Sequence, residues 1–290
     1  MMTKGERSAL RAGAAEAVAG LSAEQGDEAA RRLLPLILPD PKAPVSRGGL
    51  RVSRDVILEV VDTLGKKIRS KEKLRAVTDG LWGLEADEAR TAAALALGPL
   101  LPTGDDESEA RSVQWVKELA ASTSSPVVLD ALADTLSREM ERGATDSWAR
   151  AFKVWRKDPD RRFRILGLGS FTHLLSRGRT PEKLFDAFML GRRLAGDGDD
   201  EVRHAVVGLF VTGGRKQPRA ARRFLDRMEE DGREEVKGVV EEARAKIPEP
   251  EEEGAAIAGG ETDTDADTDA GTDSDTDRER PAAAEFGDLP

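Results

Sequence analysis

The chain has 290 residues, 34% of them charged, with a formal net charge of −10 and neither cysteine nor tyrosine. Zero cysteines exclude disulfides, thiolate zinc sites and cysteine nucleophiles. No apolar run approaches the ~18 residues of a membrane span and the first twenty residues hold no signal-like apolar block, so a soluble, cytoplasmic protein is expected.

Residues 6–20 and 23–38 read as Ala/Leu-rich amphipathic helices, with Pro35 expected to cut the second a turn short. Pro39 to Arg47 is a loop by its prolines and polar content, and a sharp turn at Gly48-Gly49 leads to a helix over about 53–69. Helices follow near 71–83, 86–97, 107–121, 126–142, 145–157, 160–177, 181–194, 199–214, 217–230 and 233–247. Asp87, Thr145, Asp160, Thr180 before Pro181, and Asp199 place oxygen acceptors at helix starts, where first-turn amides lack partners. Gly98-Pro99, Gly143, Gly178 and Gly196-Asp197-Gly198 mark breaks. No segment alternates with period 2 long enough to be a strand, so the expected class is all-α.

From Pro248 the chain turns into an acidic, low-complexity segment whose core is TDTDADTDA over 262–270. It lacks core-forming residues and is expected to be disordered. Residues 249–290 hold 15 of the 55 acidic residues against Arg278 and Arg280, which leaves 43 basic and 40 acidic residues in 1–248. The acidity belongs to the tail. The expected organisation is N-terminal capping helices (1–48), a repeat domain (49–247) and the tail (248–290).

A repeat underlies the middle of the chain. Arg90, Arg164 and Arg203 each follow an apolar residue near a helix start, and Val128 fills the same slot between the first two. These anchors are 38, 36 and 39 residues apart. A fixed helical period of that size, just under the ~40–47 residues of HEAT units, predicts an α-solenoid of HEAT-like helix pairs forming a curved superhelix. Solenoids bind along their concave wall.

No Walker loop, HExxH, GxSxG or dinucleotide fingerprint occurs. The two histidines, His173 and His204, lie in different helix pairs, and a surface pair of His204 with Asp200 is the simpler reading. Neither metal site nor cofactor is expected. Basic residues are more suggestive: Arg156, Arg161, Arg162 and Arg164, then Arg177 and Arg179, then Arg203, Arg215 and Lys216 fall at the ends of successive helices. A stacked array could align them into a ridge facing phosphates, or they could form a salt-bridged surface. Arg90, Arg164 and Arg203 also fit structural arginines that bond a neighbouring repeat's aspartate or helix end. Trp148 and Trp155, with Phe152 between them, share one helix face that reads as interior seam rather than base-stacking platform.

Four blocks between Gly49 and Met228 resemble the HEAT-like alkylpurine DNA glycosylases of the DNA alkylation repair family. They are Gly49-Leu50-Arg51-Val52-Ser53; Leu81-Trp82-Gly83-Leu84 with Glu88-Ala89-Arg90 and Ala92-Ala93-Ala94; Trp155 with Arg164; and Val202-Arg203-His204-Ala205-Val206-Val207-Gly208 with Lys216-Gln217-Pro218 and Phe224-Leu225. The resemblance implies a right-handed superhelix whose basic concave surface holds duplex DNA. It implies excision of alkylated purines without flipping the base, an aspartate beside the sugar stabilising developing positive charge, and two tryptophans against the backbone. Asp130 or Asp134 matches that carboxylate. Pro126 and Asp130 stand four residues before them where the family has tryptophan, and the second tryptophan position is Gly208 or Leu209. Trp148 is left as a substitute in space.

The resulting expectation is a monomeric DNA-binding protein of alkylation repair with weak or absent base excision. Its phosphate contacts would be Arg156, Arg161, Arg162, Arg164, Arg203, Arg215 and Lys216. The alternative is a non-enzymatic HEAT scaffold with a protein partner on the concave face.

Overall fold

The computed structural model describes residues 2–46, 48–101, 105–178 and 183–249. Arg47, Arg179, the Thr180-Pro181 cap and the acidic segment from Pro250 onward lie outside the described residues. Thirteen α-helices and no strand occur among the described ones. They are α1 (Lys4–Ala17), α2 (Gly26–Ile37), α3 (Arg54–Lys67), α4 (Lys71–Gly83), α5 (Asp87–Ala96), α6 (Asp106–Ala121) and α7 (Pro126–Glu139). Then come α8 (Thr145–Trp155), α9 (Arg161–Arg177), α10 (Leu184–Leu194), α11 (Asp200–Lys216), α12 (Pro218–Glu230) and α13 (Glu234–Lys246). None of these helices is long and apolar enough to cross a membrane.

Local chemistry sets most boundaries. The Asp160 side chain accepts from the Arg162 amide, and Asp199 accepts from the amides of Glu201 and Val202, so α9 and α11 begin where capping predicts. Asp87 does not cap: it is the first residue of α5, and its carboxylate accepts the Ser125 hydroxyl at 2.9 Å. Gly178 ends α9 with φ 66°. The expected helix over 126–142 stops at Glu139, because a wide turn through Gly143 (φ 114°) intervenes. Pro35 does not shorten its helix. α2 continues through it to Ile37, and buried Leu33 and Ile37 anchor the helix on either side of the missing amide.

The helices pack in two rows. α1, α3, α5, α7, α9, α11 and α13 form one row, each against the next; α2 packs on α4, α6 on α8, and α10 on α12. Gly26 and Gly80 allow the closest approach, since a Cβ at Gly26 would lie 2.2 Å from the Ala76 carbonyl oxygen. One apolar core joins α1–α5 and a second runs from α5 to α13, with Trp82, Leu95 and Trp115 touching both. The fully enclosed Phe152, Phe188 and Phe210 lie in the second core, each contributing roughly 1.5–3 kcal/mol.

The repeat anchors fall at matching places. Arg90, Arg164 and Arg203 are each the fourth residue of their helix, and Val128 is the third of α7. Each arginine reaches back to carbonyls ahead of its own helix: Arg90 to Trp82 and Leu84, Arg164 to Asp158, Arg203 to Asp197. A guanidinium there satisfies carbonyls that a preceding helix or turn leaves open.

Candidate functional site

The turn before α3 is fastened twice. Gly49 adopts φ 79°, and a Cβ there would stand 2.3 Å from a methyl of Val127 in the first turn of α7. Glu88, fully buried in α5, accepts the Arg51 amide at 2.7 Å. The turn therefore lies against α7, and Arg54, the first residue of α3, reaches across to that helix.

There it meets Asp130 and Asp134, one turn apart and so on one face of α7. Arg54 donates to Asp130 Oδ2 at 2.7 Å and to Asp134 Oδ2 at 2.9 Å. From α9, His173 and Arg177, also one turn apart, complete the arrangement. His173 Nε2 lies 2.8 Å from Asp130 Oδ1, and Arg177 donates to Asp134 Oδ1. Arg138 adds a contact to Asp134 Oδ2 at 3.1 Å, and Arg177 also donates to Ser137 Oγ and lies 3.7 Å from Glu141.

The two aspartates differ in access. The Asp134 side chain is 6% exposed and held by three arginines; that of Asp130 is 49% exposed. Burial pushes the Asp130 pKa up, but the His173 and Arg54 contacts outweigh it and hold the carboxyl below its ordinary value. Asp130 is thus an ionised carboxylate whose two oxygens both already have cationic or N–H partners. The three carboxylates of the cluster (Asp130, Asp134, Glu141) face three guanidiniums (Arg54, Arg138, Arg177).

Beside the cluster, the starts of α7, α9 and α11 enclose a groove of about 580 Å³ with Pro126, Leu129 and Ile165 lining it and Arg161 and His204 at its edge. The basic residues expected to face phosphates divide here. Arg161 bonds Asp199 and Glu201, and Arg162 bonds Asp160 and the carbonyls of Ala121 and Thr123. Arg164, 12% exposed, pairs with Asp197, and Arg203 pairs with Asp200. Arg215 and Lys216 are exposed at the end of α11, without an ion-pair partner among the described residues. Arg156 belongs elsewhere: it lines a groove between α8 and α10.

Other expectations are corrected by the packing. His204 bonds the Asp200 backbone carbonyl, not its carboxylate, which Arg203 holds. Trp148 cannot supply a wall, because it is 3% exposed and packs with Phe152 and Trp155 at ring separations of 6.3 and 6.4 Å. Sequence reasoning missed Arg54, Arg138 and the pairing of His173 and Arg177 with the aspartates. One signal was present: Asp130/Asp134 and His173/Arg177 are both i, i+4 pairs, offset by the same 43 residues. No cluster of His, Asp and Glu able to hold a metal occurs among the described residues.

A family model described as DNA alkylation repair enzyme matches residues 49–247. No curated protein matches the chain. An engineered protein of known crystal structure, from the Northeast Structural Genomics Consortium, is similar at 17% identity and TM-score 0.39, over 82% of this chain and 96% of its own.

Proposed function

The chain belongs to the DNA alkylation repair enzyme family, and from that membership we propose that residues 49–247 act as a monomeric, cytoplasmic HEAT-like solenoid that binds duplex DNA and excises alkylated purines weakly or not at all. The observation that carries the weak or absent excision in this reading is the compensated state of the two candidate carboxylates. Stabilising positive charge on a sugar calls for a carboxylate whose field is free to act on it. Asp130 instead faces His173 and Arg54, and Asp134 is enclosed by Arg54, Arg138 and Arg177. No tryptophan side chain lines the groove beside them. Phosphate contacts fall first to Arg215 and Lys216, then to Arg161 and Arg203 at the outer edge of their ion pairs.

Two measurements on the full chain test this. Duplex affinity is expected to fall with salt, and changing Arg215 and Lys216 together to alanine should lower the slope of log K against log salt by about 1.8, since each phosphate contact contributes about 0.9. Methylated duplex DNA incubated with the protein should release purine at nearly the spontaneous rate. Rapid release that disappears in Asp130→Asn would overturn the weak-excision reading, and a salt-independent affinity would overturn DNA binding itself.

A further inference from the structure

On the other row of helices, α8 and α10 flank a groove of about 330 Å³ that the DNA reading leaves unused. Phe152 and Phe171, edge to face at 5.7 Å and buried in the core, back the groove; half-buried Ala149 and Met189 line it, and Phe185 stands on its rim. Phe185 is 59% exposed, the one aromatic among the large apolar side chains that stay open to solvent in the described residues. Its edge-to-face contact with Phe224 fixes the ring. Lys153, Arg156 and Arg193 also line the groove. None of the three has an anionic partner among the described residues, and the Arg156 Nε is shut away from water without any hydrogen bond. The groove's fourth cation, Arg150, is engaged by Glu109; of its two acids, Asp146 faces Lys183.

Unpaired cations around an apolar groove fit two kinds of ligand, and the supply of hydrogen-bond acceptors decides between them. A nucleobase carries donors and acceptors around its whole edge. Seated there, it would find donors on Lys153, Arg156 and Arg193 but side-chain acceptors for its own N–H groups only on Asp146 and Asp186, and an N–H left without a partner costs about 1–3 kcal/mol. An apolar side chain has no such groups, and neighbouring carboxylates would meet the guanidiniums in the charge-assisted geometry that arginine favours. We propose that the α8–α10 groove is a docking site for an acidic peptide segment of a protein partner, one apolar side chain seated against Ala149, Phe185 and Met189 and its carboxylates resting on Lys153, Arg156 and Arg193. A buried apolar anchor inside a charged rim is the arrangement that concentrates binding energy in peptide recognition. The site is separate from Arg215 and Lys216, so its occupation does not depend on the DNA reading.

The full-length protein is titrated at low salt into a fluorescein-labelled octapeptide of six aspartates flanking a phenylalanine–leucine pair, and binding is read by anisotropy. The same peptide with two serines in place of that pair, and octathymidylate, serve as the other probes. Lys153→Glu and Arg193→Glu, both at solvent-exposed positions, should each weaken the phenylalanine–leucine peptide about tenfold, and the serine peptide should bind at least tenfold more weakly. Duplex affinity should be unchanged in both variants, which keeps this test apart from that of DNA binding. Absence of peptide binding, insensitivity to both charge reversals, equal binding of the serine peptide, or octathymidylate binding more tightly than the peptide would each overturn the proposal.

Discussion

The α7–α9 cluster and the α8–α10 groove hold the same kinds of side chain in opposite states. In the first, Arg54, Arg138 and Arg177 each have a carboxylate, and Asp134 has three guanidiniums. In the second, Lys153, Arg156 and Arg193 have none. The two lie on different rows of helices, bridged by α9, which gives His173 and Arg177 to the cluster and Phe171 to the groove. A satisfied charge cluster mostly fixes geometry, because its field is spent internally. Exposed cations without partners, as Lys153 and Arg193 are, cost little at a wet rim and keep their attraction for a ligand. The arginine-rich composition is therefore divided between holding the stack together and leaving a few cations free.

The largest effect should come from breaking the cluster at its buried centre. Asp134→Ala removes the carboxylate on which three guanidiniums converge, leaving Arg54 only Asp130 and Arg177 only Glu141 as carboxylate partners among the described residues, and removing one partner from a buried ionic group is far costlier than the group's net worth. The expected loss is about 3 kcal/mol of unfolding free energy, the low end of that class, because Arg54 and Arg138 still reach water. Urea denaturation of the full chain measures it. A loss below about 1 kcal/mol would show that the cluster is a surface network rather than a structural one.

A smaller effect separates structural arginines from free ones. Arg164 is 12% exposed and binds both Asp197 and the Asp158 carbonyl, so Arg164→Ala should cost about 1.5–3 kcal/mol, as for a charged hydrogen-bond donor. Arg215→Ala, at an exposed and unpaired position, should stay within about 0.5 kcal/mol of the parent. Equal losses in the two variants would erase the distinction drawn from their contacts.

How much of this was legible in the sequence follows from distance along the chain. The all-helical class and the starts of α9 and α11 were readable because Asp160 and Asp199 bond amides two or three residues away. The matching places of Arg90, Arg164 and Arg203 were readable because a repeat prints its period directly. Asp130 and Asp134 were visible as an i, i+4 pair, and Arg138 one turn on was within reach of the same pattern, but the remaining partners Arg54, His173 and Arg177 come from 43 and from 76–80 residues away. Arg156 misled for a related reason. It stands five residues before Arg161, but it follows the last residue of α8 while Arg161 opens α9, so near neighbours in sequence face different grooves. The Gly49 contact with Val127 was likewise unreadable, since only the stacking of α3, α5 and α7 creates it.

The smallest predicted effect concerns the exposed half of the cluster. His173 and Arg54 hold the Asp130 pKa below its ordinary value despite the opposing influence of burial. A carboxylate with a depressed folded-state pKa adds stability that is complete above its unfolded pKa of about 3.9 and is lost as pH falls through the lower folded value. Comparing the parent with Asp130→Asn across pH isolates that contribution, because asparagine keeps the shape and cannot ionise. The difference in denaturation midpoint seen at about pH 5 should shrink as the pH falls further and vanish once Asp130 is protonated in both states. Half of the Asp130 side chain meets solvent, so added salt should shrink the difference too, whereas the loss in Asp134→Ala should resist salt. Salt curves that fell in parallel for the two variants would mean that both aspartates are screened alike, and the contrast between a buried centre and an accessible edge within this one cluster would have to be given up.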